Sequence, residues 1–226
     1  LAAGSGQRMG PTVADKILSP LRGKPVLVHS VEAFEQSECV EHICIVYRDA
    51  RQRERLEQAL SLRSSSKIEI SWAEGGASRQ ESVENGLNSL PESNGLTFIH
   101  DAARPLITPA SIAKLAEVAG RDGAACLAHP LVDTVKRIAD PNRISRIELE
   151  DLARDRLWAM ETPQVFRAVE IRKAYQYVKA QGLTVTDDAA AAATIGLPVT
   201  LVPNESLNPK ITTTADLSYL EWLLSS

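Results

Sequence analysis

The sequence predicts an α/β fold with a mainly parallel open sheet that carries helices on both faces. Short apolar runs recur along the chain, and helical patterns lie between most of them. Because parallel strands need a crossover connection, this alternation is typical of an open parallel sheet, whose ligands bind at the carboxyl ends of the strands. The strands are expected at residues 41–47, 67–72, 96–100, 124–127 and 198–202.

Two helices can be placed by the residues that cap them. Ser78 is followed three positions later by Glu81, the pattern of a capping box, and Thr108 is followed by Pro109, which suits the first helical position. We therefore expect helices to begin directly after Ser78 and Thr108.

Residues 131–157 have a different pattern from the rest of the chain. Residues 132–138 alternate between apolar and polar side chains like a solvent-facing strand, and residues 144–149 follow in a similar style. This pattern predicts a β-arm, inserted at about 131–157 in a single domain that spans residues 1–226. An arm that stands off a core exposes an apolar face and an edge, so we expect it to be used for dimerisation.

Bulk properties argue against several classes of protein. The net charge of -4 argues against a broad nucleic-acid surface, although a local basic pocket remains possible. No apolar run approaches the roughly 18 residues that span a membrane, so no membrane partner is expected. The three cysteines, Cys39, Cys44 and Cys126, lack the spacing of a zinc site and suggest a reducing compartment.

The chain opens at Leu1 directly before a glycine-rich loop, so we expect part of a first strand to precede it.

The glycine-rich loop is the first candidate site, and it reads Ala2-Ala3-Gly4-Ser5-Gly6-Gln7-Arg8-Met9-Gly10. Glycines let a backbone approach an anion closely, and Arg8 and Lys16 would add positive charge there. A tight turn without a ligand is the alternative. Gly10 stands one place too late for the dinucleotide fingerprint, and the GK[ST] ending of a P-loop is missing, which disfavours a nicotinamide dehydrogenase.

Two further candidate sites follow predicted strands. Gly75-Gly76 precedes the capped helix, and Ser82 lies in its first turn, near amides that could bind a base edge. Asp101 follows the strand at 96–100 and is well placed to hold Mg²⁺ against phosphates, while Pro105 restricts Arg104 to extended geometry. The alternatives are a well-capped helix at the first place and a structural ion pair at the second.

In this order, the segments resemble the 2-C-methyl-D-erythritol 4-phosphate cytidylyltransferase family, whose members are nucleotidyltransferases with a Rossmann-like fold. The resemblance covers nearly the whole chain. It is carried by residues 2–9, Asp15-Lys16, Gly76 with residues 79–83, residues 100–105, Leu157-Trp158, Thr162-Pro163-Gln164, Thr186-Asp187-Asp188 and residues 208–212.

The resemblance implies roles for individual residues. It implies catalytic cations at Arg8, Lys16 and Lys210. It implies a CTP site formed by Ala2, Ala3, Gly4, Ser5, Gly6, Gly76, Ser82 and Ala102. It implies that a small polyol phosphate is handled by Asp101, Arg104, Thr134, Arg154 and Thr162, and that Asp101 holds Mg²⁺ or another divalent cation.

The activity implied is transfer of a cytidylyl group from CTP to 2-C-methyl-D-erythritol 4-phosphate, with release of pyrophosphate, in the non-mevalonate route to isoprenoid precursors. The acceptor phosphate is already ionised near neutral pH, so neither a protein nucleophile nor a general base is needed. The alternatives are a ribitol-5-phosphate cytidylyltransferase and a non-catalytic nucleotide-binding module. The second is disfavoured because Lys16, Asp101 and Lys210 are all present.

The resemblance also implies how the enzyme assembles and where it works. It implies a homodimer in which the arms are exchanged across a two-fold axis, so that Arg154 reaches the partner's site. We expect a cytoplasmic enzyme, or one of the plastid stroma if the source is a plant or an alga.

Overall fold

The structure is a computed structural model that describes residues 1–4, 15–61, 63 and 68–225. The strands are β1 Pro20–Leu21, β2 Lys24–Pro25, β3 His42–Tyr47, β4 Glu69–Glu74, β5 Leu96–Ile99, β6 Ala124–Pro130, β7 Lys136–Arg137, β8 Glu150–Asp151, β9 Trp158–Arg167 and β10 Thr200–Pro203. The helices are α1 Val26–Glu35, α2 Ala50–Leu60, α3 Arg79–Ser89, α4 Pro109–Asp122, α5 Ala168–Ala180, α6 Asp188–Thr194 and α7 Thr214–Leu223, with short 3-10 helices at Lys16–Leu18 and Arg154–Arg156. Within these ranges, no helix has both the length and the apolar character needed to cross a membrane.

The predicted α/β architecture with a mainly parallel sheet is confirmed. Four strands lie in the order β10-β6-β9-β5, and β3 pairs in parallel with β4. The first residues join these two groups of strands, because Ala2 donates to the carbonyl of Val46 while Leu1 donates to His100 and accepts from Ala102. That alternation of donor and acceptor is the pattern of a parallel ladder.

Strand β9 was not predicted, although it lies between β5 and β6 and runs antiparallel to both. Its buried residues include Glu161, Thr162 and Gln164, with Pro163 among them, so it lacks the apolar run that marks the other strands. Such buried polar groups are tolerated because each finds hydrogen-bond partners, and those partners come from distant parts of the chain.

The arm segment is less regular than predicted. Its only ladder in the described residues pairs β7 with β8, whereas strands were expected at 132–138 and 144–149. Val132 is 80% exposed and Ile144 is 79% exposed, so their apolar side chains find little cover within this chain. Without that cover, nothing local favours a longer ladder. The use of this segment in dimerisation stays a prediction.

Both predicted helix starts are confirmed, with one difference in the capping. Ser78 accepts from the amide of Glu81, and Thr108 accepts from the amide of Ser111. The Glu81 carboxylate, however, accepts from the amide of Ala77 and not from that of Ser78. The reciprocal half of the capping box is therefore displaced by one residue, into the glycine turn before α3.

Apolar side chains cover both faces of the sheet. Val165 packs in one cluster with α4, and its neighbour Phe166 packs in another with α3, α5 and α6. Adjacent side chains of a strand point to opposite faces, so these two clusters lie on opposite sides. A third cluster packs α1, α2 and α7 around Ala2 and Ile45. Together the clusters hold the carboxyl ends of β3, β4 and β5 in position.

Candidate active site

Asp101 lies two positions after the end of β5, at the centre of the candidate site. Its carboxylate accepts from Lys210 at 2.5 Å, and its other oxygen lies 3.5 Å from Nε of Arg79. Burial alone would raise the pKa of Asp101, but the positive charges of Lys210 and Arg79 hold it well below its usual range. Asp101 is therefore an ionised carboxylate at neutral pH.

The two predicted catalytic lysines lie in the same region. Nζ of Lys16 donates to the carbonyl of Ile211 at 2.9 Å, and Ile211 directly follows Lys210. Lys16 begins a 3-10 helix whose cap, Asp15, accepts from the amide of Ile17. Arg8 lies outside the described residues.

Gln52 fastens the chain on both sides of the undescribed segment 5–14. Its amide group donates to the carbonyl of Ala2 at 3.1 Å and to the carboxylate of Asp15 at 2.5 Å. Its own oxygen accepts from the backbone of Arg48 at 2.6 Å. Through these bonds, the start of the glycine-rich loop and the residue before Lys16 share one buried anchor on α2.

Arg48 is a cation beside the loop that the sequence analysis did not propose. Its guanidinium lies 3.8 Å from the carboxylate of Asp15 and 3.5 Å from the carbonyl oxygen of Gly4. Ser5 and Gly6 lie outside the described residues, so the described part of the predicted triphosphate loop is Ala2, Ala3 and Gly4.

The glycine pair before α3 lets two predicted nucleotide segments approach each other. A Cβ at Gly75 would lie 2.7 Å from Cβ of Ala3 and 2.9 Å from Oγ of Ser82, and one at Gly76 would lie 2.2 Å from Cβ of Glu81. Real Cβ atoms do not approach so closely, so only glycine fits at either place. The structure thus brings Ala3, at the start of the glycine-rich loop, against the turn that precedes α3.

The Ser82 hydroxyl is used within this turn. It accepts from the amide of Gly76 at 3.1 Å and donates to the carbonyl of Ser78 at 2.8 Å. Ser82 is buried, so its side chain stabilises the turn. Ala102 is buried as well, and its carbonyl accepts from the hydroxyl of Ser30. The place of Ser82 and Ala102 in a nucleotide site stays a prediction.

Arg104 lies among buried polar groups on the other side of Asp101. It donates to the carbonyl of Asn208 at 2.7 Å and lies 4.0 Å from the carboxylate of Glu161. Asn208 in turn donates to Glu161 at 2.8 Å and to the carbonyl of Thr162 at 3.0 Å. The segment that carries Lys210 is thereby anchored on β9.

Thr162 connects β9 to the Asp101 loop. Its hydroxyl accepts from the amide of Asp101 at 3.1 Å and lies 3.2 Å from Nδ1 of His100. Burial lowers the pKa of His100 to about 3, so the ring is neutral at pH 7. The predicted substrate residue Thr162 thus also supports the backbone at Asp101.

Thr134 and Arg154 do not join this group within the chain. Both are exposed, and Arg154 donates to the carbonyl of Val132 inside the arm segment. Among the described residues, no hydrogen bond or ion pair links either of them to Asp101 or Lys210.

Asp101 could hold a divalent cation only with help from a substrate. The described ranges contain no group of three or more His, Cys, Asp and Glu side chains that could form a metal site. Mg²⁺ often binds through one or two carboxylates together with substrate phosphates, and a single ionised Asp101 fits that arrangement.

Several residues with a clear place in the site were missed from the sequence. Arg79 and Asp188 both lie in segments that carry the family resemblance. Their ion pair joins residues 109 positions apart and was not predicted. Glu161 was passed over as part of a polar stretch before Thr162. No rule of sequence spacing links such distant positions. A local signal exists, however, because Arg79 and Asp188 each directly follow a helix-capping residue.

Comparison with known proteins agrees with this arrangement. The family model described as 2-C-methyl-D-erythritol 4-phosphate cytidylyltransferase (IspD) matches residues 1–226. The proteins of that name from Dehalococcoides mccartyi and Synechococcus sp. are 41% and 38% identical over 224 and 225 residues, and each match covers 99% of this chain and 93% of the relative. The crystal structure of 4-diphosphocytidyl-2C-methyl-D-erythritol synthase from Anaerococcus prevotii matches with a TM-score of 0.83 and 26% identity, over 100% of this chain and 93% of that one. The chain therefore belongs to the 2-C-methyl-D-erythritol 4-phosphate cytidylyltransferase family.

Proposed function

We propose that this chain transfers the cytidylyl group of CTP to 2-C-methyl-D-erythritol 4-phosphate, giving 4-diphosphocytidyl-2-C-methyl-D-erythritol and pyrophosphate in the non-mevalonate route to isoprenoid precursors. The observation that carries the proposal is the ion pair of Lys210 with Asp101 next to Ile211, whose carbonyl group holds Lys16, in a chain of this family. Two lysines brought to one place in this way, one of them paired with a carboxylate, suit the transfer of a phosphoryl-type group.

The reaction is a single in-line displacement. An oxygen of the acceptor phosphate forms a bond to the α-phosphorus of CTP, and the bond from that phosphorus to the bridging oxygen of pyrophosphate breaks. Pyrophosphate leaves with the electron pair. Catalysis then depends on orientation and on positive charge placed where negative charge develops.

Individual side chains have distinct tasks in this proposal. Lys16 and Arg8 neutralise the triphosphate at the glycine-rich loop, and Lys210 lies at the boundary between the α-phosphate and the acceptor. Arg104 holds the acceptor phosphate, supported by Asn208. The backbone at Gly75 and Gly76 contacts the base, because the Ser82 hydroxyl is already bonded within the turn.

Asp101, together with phosphates of CTP, would hold Mg²⁺ or another divalent cation, which would supply positive charge where the acceptor phosphate approaches. Asp101 suits this task because it stays ionised while Lys210 and Arg79 balance its charge.

The proposal includes a homodimer formed through the arm at about 131–157. Its support is the exposure of apolar side chains there, with Val132 at 80% and Leu149 at 56%. In the dimer, Arg154 and Thr134 of one protomer would reach the acceptor in the site of its partner, since neither contacts Asp101 or Lys210 within its own chain.

We place the reaction in the cytoplasm, or in the plastid stroma if the source is a plant or an alga. The three cysteines support a reducing compartment, since Cys39, Cys44 and Cys126 are free thiols. Fractionation of the source cells, with immunodetection of the chain, tests this assignment.

The activity is tested by pyrophosphate release from CTP with 2-C-methyl-D-erythritol 4-phosphate and, in parallel, with ribitol 5-phosphate. We expect rapid turnover with the first acceptor only, and far slower turnover when ATP or GTP replaces CTP. Faster turnover with ribitol 5-phosphate would select the alternative acceptor. CTP binding without turnover on either acceptor would favour the other alternative, a non-catalytic nucleotide-binding module.

A further inference from the structure

A polar chain, buried at its far end, connects helices α3, α5 and α6 to Asp101. Arg79 forms a two-pronged bond with Asp188, with one nitrogen at 3.2 Å and the other at 2.8 Å. Asp188 is fully buried and also accepts from the hydroxyl of Tyr175 at 2.6 Å. The remaining nitrogen of the guanidinium, Nε, faces the carboxylate of Asp101.

We propose that Arg79 is a positioning residue that fixes the carboxylate of Asp101, and that Asp188 and Tyr175 act through Arg79. The inference rests on the proposed function, because it concerns the task assigned there to Asp101. It adds three residues to the machinery without giving any of them a contact with substrate.

The geometry indicates why arginine is used. A guanidinium is a rigid planar fork, so two bonds to Asp188 leave the direction of its Nε no freedom. An ammonium group on a flexible stem could not meet both carboxylates with the same geometry. Because Asp188 is a buried charge, it needs Arg79 and Tyr175 as partners, and this need holds the fork in place.

The two partners of Asp101 differ in how firmly they are held. Lys210 contacts one oxygen of Asp101, and within the described residues its ammonium group has no second partner to hold it, so it can turn towards an incoming phosphate. Arg79 faces the other oxygen and is fastened at its far end to Asp188. Arg79 therefore keeps Asp101 oriented when Lys210 leaves to bind substrate.

The rival interpretation is an ion pair that only joins α3 to α6. That interpretation predicts a loss of stability without any change in the activity of the folded enzyme. A matched control is available in Glu84, which joins α3 to α5 through Lys179 at 2.7 Å and does not contact Arg79. Glu84→Gln removes a charge from the same helix α3 but leaves the chain to Asp101 intact.

The test compares Asp188→Asn, Tyr175→Phe, Arg79→Lys and Glu84→Gln as full-length enzymes. Steady-state kinetics give kcat and the KM for CTP, and calorimetry measures how much Mg²⁺ tightens CTP binding without acceptor. Mutation of a group that orients a metal ligand typically lowers affinity or activity by about 10- to 100-fold. We expect Asp188→Asn to lower kcat, and the increase in CTP affinity that Mg²⁺ produces, within that range. Arg79→Lys should behave similarly, Tyr175→Phe should lose less in the same direction, and Glu84→Gln should match wild type.

A second comparison separates this inference from the proposed function. Asp188→Asn is combined with Asp101→Asn, and we expect the double variant to lose less than about 2-fold beyond Asp101→Asn alone, because residues that act through one group are not additive. If the losses of activity in the two single variants add up fully in the double variant, the positioning role is overturned. A folded Asp188→Asn variant with wild-type kcat and a wild-type increase in CTP affinity on addition of Mg²⁺ would overturn it as well. Wild-type activity of Asp101→Asn would instead refute the task proposed for Asp101. If Asp188→Asn does not fold, the same criteria apply to Tyr175→Phe and Arg79→Lys.

Discussion

Lys210 and Asp101 form an ion pair with a distance of 2.5 Å, although they are 109 positions apart in the chain. The pair joins the end of β5 to the segment that follows β10, and it lies beside the carbonyl group that holds Lys16. The Asp101 carboxylate also lies 3.5 Å from Arg79, so it balances cations from two distant parts of the chain. Substrate phosphates would meet both lysines at this point.

Removing the ammonium group of Lys16 should slow the reaction far more than it changes folding. Deleting one preorganised charge donor typically costs about 3 kcal/mol of transition-state stabilisation, so we expect Lys16→Ala to lower kcat by roughly 100-fold or more. The control is Lys24→Ala, which removes an exposed lysine paired with Glu32. Wild-type kcat in purified, folded Lys16→Ala would contradict the triphosphate assignment.

Asp101→Asn should raise the Mg²⁺ concentration needed for half-maximal activity. An amide lacks the negative charge that a hard cation prefers, and Lys210 and Arg79 would lose their shared partner. The measurement is a Mg²⁺ titration of initial rates at saturating CTP. An unchanged titration curve would leave Asp101 as a structural ion pair.

Gly75→Ala should impair both folding and CTP binding. The added Cβ would lie 2.7 Å from Cβ of Ala3, so Ala3 has to move away from the turn before α3. Overpacking of this kind typically costs about 1–3 kcal/mol of unfolding free energy, and we expect the KM for CTP to rise as well. Gly120→Ala in α4 is the control, because its added Cβ meets nothing within 4 Å. Equal KM values in the two variants would show that the close approach is not needed.

His100 should make the folded state sensitive to acid. Burial lowers its pKa to about 3 in the folded protein, whereas a histidine in an unfolded chain has a pKa of about 6.5. Between these values the unfolded chain binds the proton and the folded protein does not, so the unfolding free energy falls as pH falls through this range. We expect urea unfolding at pH 7 and 4.5 to show a smaller pH effect in His100→Gln than in wild type. Equal pH effects in the two proteins would contradict this origin.

The shared-site prediction can be tested by mixing two inactive variants. If Arg154 acts in the partner's site, a mixed dimer of Arg154→Ala and Lys16→Ala has one site with both lesions and one with neither. Random exchange makes about half of the dimers mixed, so roughly a quarter of full activity should return. The mixture is assayed after subunit exchange has been verified with labelled protomers. Activity that stays at the level of the separate variants would refute a site shared between protomers.

The sequence was sufficient to predict the class of fold and to propose residues for the candidate site. Alternating apolar runs and helical patterns depend on local side-chain periodicity, so the strands at β3, β5, β6 and β10 could be placed within a few residues. The starts of α3 and α4 followed from Ser78 and Thr108 because capping is a local interaction. Family resemblance then brought together motifs that are weak when taken singly.

The tertiary structure was needed wherever a buried polar group is satisfied by a distant one. Strand β9 could not be recognised because Glu161, Thr162 and Gln164 are polar residues typical of loops. In the structure they form hydrogen bonds with Asn208, Asp101 and Asp187, respectively. The bonds of the Ser82 hydroxyl to the amide of Gly76 and to the carbonyl of Ser78, within its own turn, likewise appear only in the structure. Periodicity reports which face of an element is apolar, but hydrogen bonds between remote side chains depend on packing, and only packing places Arg79 between Asp101 and Asp188.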